Sequence, residues 1–298
     1  MKYRITHKTW YAYAELVAIC HNLVHLAPRS TPVQKCLDYR LTIDPVPAFI
    51  TQRDDYFGNR SEYFSIEGGH QRLEITADSL VEVTASKVPE AASSLPWEEC
   101  VRKPGTISLK DQPKACDPVL AQLALPSPRI PDIAPLREYA LPSFSAKRPI
   151  IEVLTDLTAR IHGDFKFDAR ATTVDTPLAE VFKLRRGVCQ DFAHLATGCL
   201  RSMGLAARYT SGYLRTTPPP GKARLVGADV SHAWSSCSCG PLGWVDLDPT
   251  NNCFAGDSHV TIAWGRDYGD VCPIQGVFVG GGEHQIGVSV EVTPEAAG

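Results

Sequence analysis

The order of three short runs constrains this chain more than any other feature. Arg186-Gly187-Val188-Cys189-Gln190-Asp191-Phe192-Ala193-His194-Leu195 sets a glycine-led cysteine at the opening of an apolar, helix-like stretch. Ser231-His232-Ala233-Trp234 and Trp244-Val245-Asp246-Leu247-Asp248-Pro249-Thr250 follow, and both read as strands. His232 and Asp248 are 16 positions apart, and Gly240-Pro241-Leu242-Gly243 between them is a turn signal. A hairpin centred on Gly240 sets the two side chains roughly opposite each other. A fold that satisfies this order presses a helix start against an antiparallel hairpin.

The residue types suit nucleophilic chemistry. A thiolate, not a thiol, is the nucleophile, and a helix N-terminus favours an anion, as does a histidine within reach. Gly187 permits the tight turn that exposes the sulfur. His232 then takes the proton as base, and Asp248 orients the imidazole and offsets its charge. Asp246 shares the strand face of Asp248 and competes for the orienting role.

Other candidates are weaker. Asp191 and His194 lie close behind Cys189, but His194 falls off the cysteine's face and reads as helix surface or core. Cys199 reads as core, and Cys237 and Cys239 as packing on the strand face away from His232. His21 and His25 stand at helical spacing without a third ligand, and Cys237-Ser238-Cys239 is too tight for a zinc knuckle. No metal and no organic cofactor is expected.

A net charge of -3 gives no reason to expect nucleic acid or an anionic membrane as a partner. No apolar run approaches the ~20 residues of a membrane-spanning helix. Met1 to Trp10 lacks the apolar segment of a secretory signal, so the expected location is the cytoplasm. The 10 cysteines are accordingly expected reduced and mostly buried.

The predicted architecture is α+β. Residues 1–85 form a β-rich domain, an antiparallel sandwich or barrel: strands are expected at 3–7, 38–43, 62–66, 72–77 and 80–84. Turns are expected at Asp44-Pro45, Phe57-Gly58-Asn59-Arg60 and Gly68-Gly69. Residues 86–148 are a proline-rich connector that packs on a neighbouring domain, with short helices at 117–125 and 135–139. Residues 149–298 are the core that carries the site. Helices are expected over Ile150–Ile161, Pro177–Phe182 and Cys189–Met203, then strands at 207–213, 233–239 and 244–247, and a C-terminal strand at 285–292.

These motifs resemble the transglutaminase-like superfamily of papain-related thiol enzymes. The matching residues are Gly187-Val188-Cys189 with Asp191-Phe192-Ala193, Arg201 to Tyr209 leading to Ser211-Gly212-Tyr213, His232-Ala233-Trp234, Gly243-Trp244 and Asp248-Pro249-Thr250-Asn251. Asp55-Tyr56-Phe57-Gly58-Asn59, Asp267 to Val271 and Gly280 to His284 are similar to the bacterial members with a β-rich N-terminal domain. The resemblance implies Cys189 as nucleophile, His232 as base and Asp248, over Asp246, as orienter. It also implies acyl transfer at an amide through a thioester. Water as acceptor makes a cysteine peptidase or amidase acting on a peptide or protein substrate, the favoured reading. Lysine as acceptor makes a transglutaminase, and a non-catalytic scaffold of the same fold is the third alternative. By the same analogy the protein operates beside peptide-ligase-like enzymes. Phe167 stands where many relatives carry a tyrosine, which leaves the backbone N–H of Cys189 as the one named oxyanion donor.

Overall fold

The computed structural model describes residues 1–84, 90–91, 94–101, 118–216 and 230–295. The first strands are β1 (Lys2–Val24), β2 (Gln34–Asp44), β3 (Phe49–Asp54) and β4 (Arg60–Val83). Next come α1 (Trp97–Cys100), α2 (Pro118–Leu123), α3 (Ala134–Ala140), α4 (Ile150–Asp164), β5 (Lys166–Phe167), α5 (Leu178–Leu184), β6 (Arg186–Gly187) and α6 (Cys189–Ser202). The chain continues through β7 (Ala207–Leu214), β8 (Val230–Ser238), β9 (Trp244–Asp248), β10 (Cys253–Phe254), β11 (His259–Gly265), α7 (Tyr268–Val271), β12 (Ile274–Gly280) and β13 (His284–Pro294).

The expected antiparallel sandwich is built from two long strands that bend together. β1 and β4 pair along most of their length, with a register break between Ala12 and Val17 opposite Arg72 and His70. On one side of the break β13 joins β1 and β2 joins β4; on the other, β12 joins β1 and β3 joins β4. The two halves close on a shared core, in which Ile43, Leu73, Ile75 and Ala77 meet Cys20, Val24, Phe64 and Ile66. Gly68-Gly69, expected as a turn, lies inside β4 beside the break. A bulge lets a paired strand bend sharply without ending, so the glycines mark a bend and not a reversal. His21 and His25 lie on and just beyond β1, not on a helix. His21 meets Tyr63 Oη at 2.7 Å, and His25 lies 3.7 Å from Asp55.

The C-terminal strand, expected within the second half, returns to the N-terminal sheet. β13 pairs with β1 from Tyr3↔Pro294 to Tyr13↔His284. Its alternation identifies a strand but carries no information about its partner, which is a non-local choice. Val290 and Val292 are buried there with Tyr3, Ile5, Val81 and Val83, against Tyr209, Tyr213, Val260 and Ile262 of the second half.

The second half is a five-stranded antiparallel sheet, β10-β9-β8-β7-β11, with helices packed on it. α4 buries Ile150, Val153, Leu154, Leu157 and Ile161, the spacing read from the sequence. α6 is buried from Asp191 to Arg201, and Thr197 Oγ1 meets Ser235 Oγ of β8 at 2.9 Å. Of the connector's described residues, Ile130, Leu136, Ala140 and Phe144 belong to the same core. Asp117, expected at the start of its first helix, lies outside the described residues. No helix among the described residues is long and apolar enough to cross a membrane.

Two amide side chains join the halves at β11. The Asn59 side chain donates to Trp264 O (2.8 Å) and accepts from Trp264 N (2.9 Å). Gln34 makes the same pair of bonds to Thr261, at 2.7 and 2.8 Å. Each amide satisfies one donor and one acceptor of a strand edge, as a neighbouring strand does. The Asp55-Tyr56-Phe57-Gly58-Asn59 motif holds Asn59 in place, because Asp55 accepts from Phe57 N, Asn59 N and Asn59 Nδ2.

Candidate active site

Cys189 is the first residue of α6, and its sulfur faces the His232 ring closely enough to act on the ring's protonation. Asp191 secures the helix start. Its buried carboxylate turns back to accept from Val188 N (2.8 Å) and Thr172 Oγ1 (2.6 Å). A side chain at Gly187 would collide with that carboxylate. Gly187 is therefore required for space, not for the backbone freedom inferred from sequence. Burial raises the Asp191 carboxyl above its ordinary range, while the bonds from Thr172 and Val188 oppose the rise.

The β8–β9 ladder pairs Ser236 with Asp246 and Ser238 with Trp244, so the hairpin turns about Pro241, one residue beyond the expected centre. The short 3₁₀ turn Gly240–Leu242, followed by Gly243 at φ 73°, accounts for the shift. Asp248 consequently falls across from Trp234, on the same face as His232 but two residues along. The side chains still meet: His232 Nε2 donates to Asp248 Oδ2 at 2.7 Å. Asp246 does not take this place; it lies in the field of Arg208.

Asp248 is fully buried and its oxygens are saturated. Oδ2 also accepts from His259 Nε2 (3.1 Å) and Asn251 Nδ2 (2.7 Å), and Oδ1 from Thr250 N (3.0 Å) and Asn251 N (3.2 Å). Burial works to raise this carboxyl, but the bonds from His232 and His259 prevail and hold it well below the usual carboxylate range. Burial likewise works to lower His232, yet Asp248 and Cys189 raise it from 6.5 to about 10. The imidazole is thus held protonated at neutral pH.

His259 and Asn251 are the members that sequence reasoning missed. Asn251 stood in the quoted motif without a role. His259 opens β11, and the alternation of Val260, Ile262 and Trp264 after it was the available signal. His232, Asp248 and His259 together form a group that could hold a metal. However, His259 Nδ1 accepts from Gly256 N at 3.2 Å, so its Nε2 carries the proton given to Asp248. Both ring nitrogens are committed, and the trio reads as two donors converging on one acceptor. His194, read as helix surface or core, lies in the core; it accepts from Tyr268 N at 3.2 Å, and burial lowers it to about 3.

Trp234 is fully buried beside the two imidazoles, its ring centroid 6.1 Å from His232 and 5.3 Å from His259. Gly212 makes this possible, since a Cβ there would collide with the Trp234 ring and the Val260 carbonyl oxygen. Gly212→Ala is expected to destabilise the protein by roughly 2 kcal/mol, the cost of overpacking a core. A denaturant titration checks this, and an unchanged midpoint would show that β7 and β11 can separate without penalty.

A cavity of about 300 Å³ opens over the cysteine. Val188, Cys189, Tyr209, Ser211, Ser231 and His232 line one side, and His7, Thr9, Tyr11, Ile286 and Val288 of the N-terminal sandwich the other. Phe167 is not among the lining residues and is half exposed.

A cysteine at a helix start, set against a histidine and an aspartate on an antiparallel sheet, is the arrangement of papain-related thiol enzymes. The chain belongs to the transglutaminase-like superfamily, a group of thiol-dependent enzymes, in its bacterial form with a distinct N-terminal region. Residues 139–249 match the transglutaminase-like superfamily, and residues 3–82 match the bacterial transglutaminase-like N-terminal region. The uncharacterized protein Rv2569c of Mycobacterium tuberculosis is 42% identical over 303 residues, covering 98% of this chain and 93% of the relative. The uncharacterized protein ML0607 of Mycobacterium leprae is 32% identical over 297 residues, covering 97% and 98%. A solved structure of a candidate cysteine protease from Cytophaga hutchinsonii shares the fold, with TM-score 0.75 and 20% identity, over 100% of this chain and 92% of that one.

Proposed function

We propose that this protein hydrolyses amide bonds in peptides through a thioester on Cys189. The observation that carries the reading is Cys189 at the helix start facing a His232 held protonated by Asp248, beneath a largely apolar cavity. The fold shared with a candidate cysteine protease supports it.

Cys189 Sγ attacks the amide carbonyl carbon, and its own backbone N–H at the start of α6 receives the developing oxyanion. The Tyr209 hydroxyl supplies a second donor. It lines the cavity in the electrostatic neighbourhood of Cys189, and no described residue hydrogen-bonds it. Burial holds that phenol well above its ordinary range, so it keeps its proton. His232 gives a proton to the leaving nitrogen as the C–N bond breaks. The neutral imidazole then takes a proton from water, which attacks the thioester. The acid is released, and the sulfur and His232 return to their starting forms.

Two readouts test this. Iodoacetamide should label Cys189 ahead of Cys199 and Cys100, whose thiols burial raises to about 12 and about 11. Peptide hydrolysis should persist up to an alkaline limb near pH 10, where His232 loses its proton. The same shift fixes the stability linkage. The folded value lies above the ordinary histidine value of 6.5, so the ion pair's stabilisation is complete below pH 6.5 and is lost as pH rises towards 10. A product trapped by an added primary amine in preference to water would favour transamidation instead.

A further inference from the structure

The cavity wall opposite Cys189 belongs to the N-terminal sandwich and is built as two adjacent rows. His7, Thr9 and Tyr11 alternate along one face of β1, and their register partners on β13 are Val290, Val288 and Ile286. Directly opposed residues of an antiparallel pair share a face. One row is therefore polar and its neighbour apolar, and both extend into the space above the cysteine.

The polar row has a defined direction. Tyr213 is buried and its hydroxyl lies 2.9 Å from His7 Nδ1, its one hydrogen-bond partner among the described residues. A buried hydroxyl must place its proton on an acceptor, so Tyr213 donates to Nδ1. His7 Nε2 then carries the ring proton and donates it to Thr9 Oγ1 at 3.0 Å. Burial lowers His7 to about 4, so the ring stays neutral through the physiological range. The Thr9 oxygen is occupied as an acceptor, and its own proton remains to be donated. No lysine or arginine among the described residues lines the cavity, which fits a neutral acceptor better than a carboxylate.

We infer that Thr9 is a specificity-determining residue of this cavity, its hydroxyl donating to a main-chain carbonyl of an acyl-donor peptide whose apolar side chain rests on Ile286 and Val288. The inference rests on the hydrolase reading of the same cavity. The N-terminal sandwich is then half of the substrate site. It reads the peptide's backbone with β1 and its side chain with β13, while the second half of the chain performs the chemistry.

The test uses two dipeptidyl chloromethyl ketones, one with leucine and one with aspartate beside the reactive ketone. Labelling rates on the full-length protein are measured by intact mass and divided by the iodoacetamide rate at Cys189. The leucine probe should exceed the aspartate probe by about tenfold. Thr9→Val should lower the leucine-probe ratio roughly fivefold, the worth of one neutral hydrogen bond, and Thr9→Ser should restore it. Val288→Asp should narrow the preference for leucine. Selective iodoacetamide labelling of Cys189 with a Thr9→Val ratio equal to wild type would overturn the inference alone. Without selective labelling of Cys189, the hydrolase reading fails and takes the inference with it.

Discussion

Cys189→Ala is expected to abolish peptide hydrolysis, lowering kcat by about 10⁶-fold, the scale seen when the nucleophile of a triad is removed. The fold should survive. Cys189 is partly exposed, and the start of α6 is held by Asp191, whose carboxylate accepts from Val188 N and Thr172 Oγ1. Melting within about 2 °C of wild type is the expected control, since a small change at a partly exposed position rarely exceeds about 0.5 kcal/mol. Cys189→Ser keeps the size but substitutes a poorer nucleophile and should also lose most activity. Residual hydrolysis above about 1% in a well-folded Cys189→Ala preparation would place the chemistry elsewhere.

Asp248→Asn is the second large expected effect, and it separates orientation from packing. The amide fills the same volume but presents one acceptor where the carboxylate receives His232, His259, Asn251 and two backbone N–H groups. The Asp248 charge that helps to hold His232 protonated disappears, leaving Cys189 alone to oppose burial. The alkaline limb should therefore retreat from about pH 10 towards pH 6.5. The maximal rate should fall about 10⁴-fold, as for loss of the triad carboxylate in serine proteases. Acid stability should also fall, because His232 must then charge in a buried site without a counter-ion. A pH–rate profile of residual activity decides the matter: a limb that stays near pH 10 would mean that another group sets the protonation of His232.

What was legible beforehand divides by range of interaction. The α4 stripe and the helix opening at Cys189 depend on residues near one another in sequence, and both lie where their spacing implied. Asp248 was preferred to Asp246 through a family motif, not through hairpin arithmetic, and the true turn about Pro241 confirms that the arithmetic alone was one residue out. The reason for Gly187 was not visible, because it lies in the way Asp191 folds back. His259, Tyr209 and the Tyr213–His7–Thr9 chain were missed for a related reason. Each acquires a role only once β11, β7 and β1 are neighbours, and sheet neighbours are chosen by packing across long stretches of chain. The return of β13 to β1 is the extreme case, since nothing in its alternation distinguishes one partner from another.

That return has a consequence for biosynthesis. β1 leaves the ribosome before the catalytic helix and β13 after it, yet the two share the wall that faces the thiol. Cys189, His232 and Asp248 are all made while Ile286 and Val288 are still to come. The cavity then lacks one side, and peptides gain no apolar shelf beside the sulfur. A chain shortened before β13 carries Cys189 without Ile286 and Val288 beside it, so the cavity is complete only once the last strand is made.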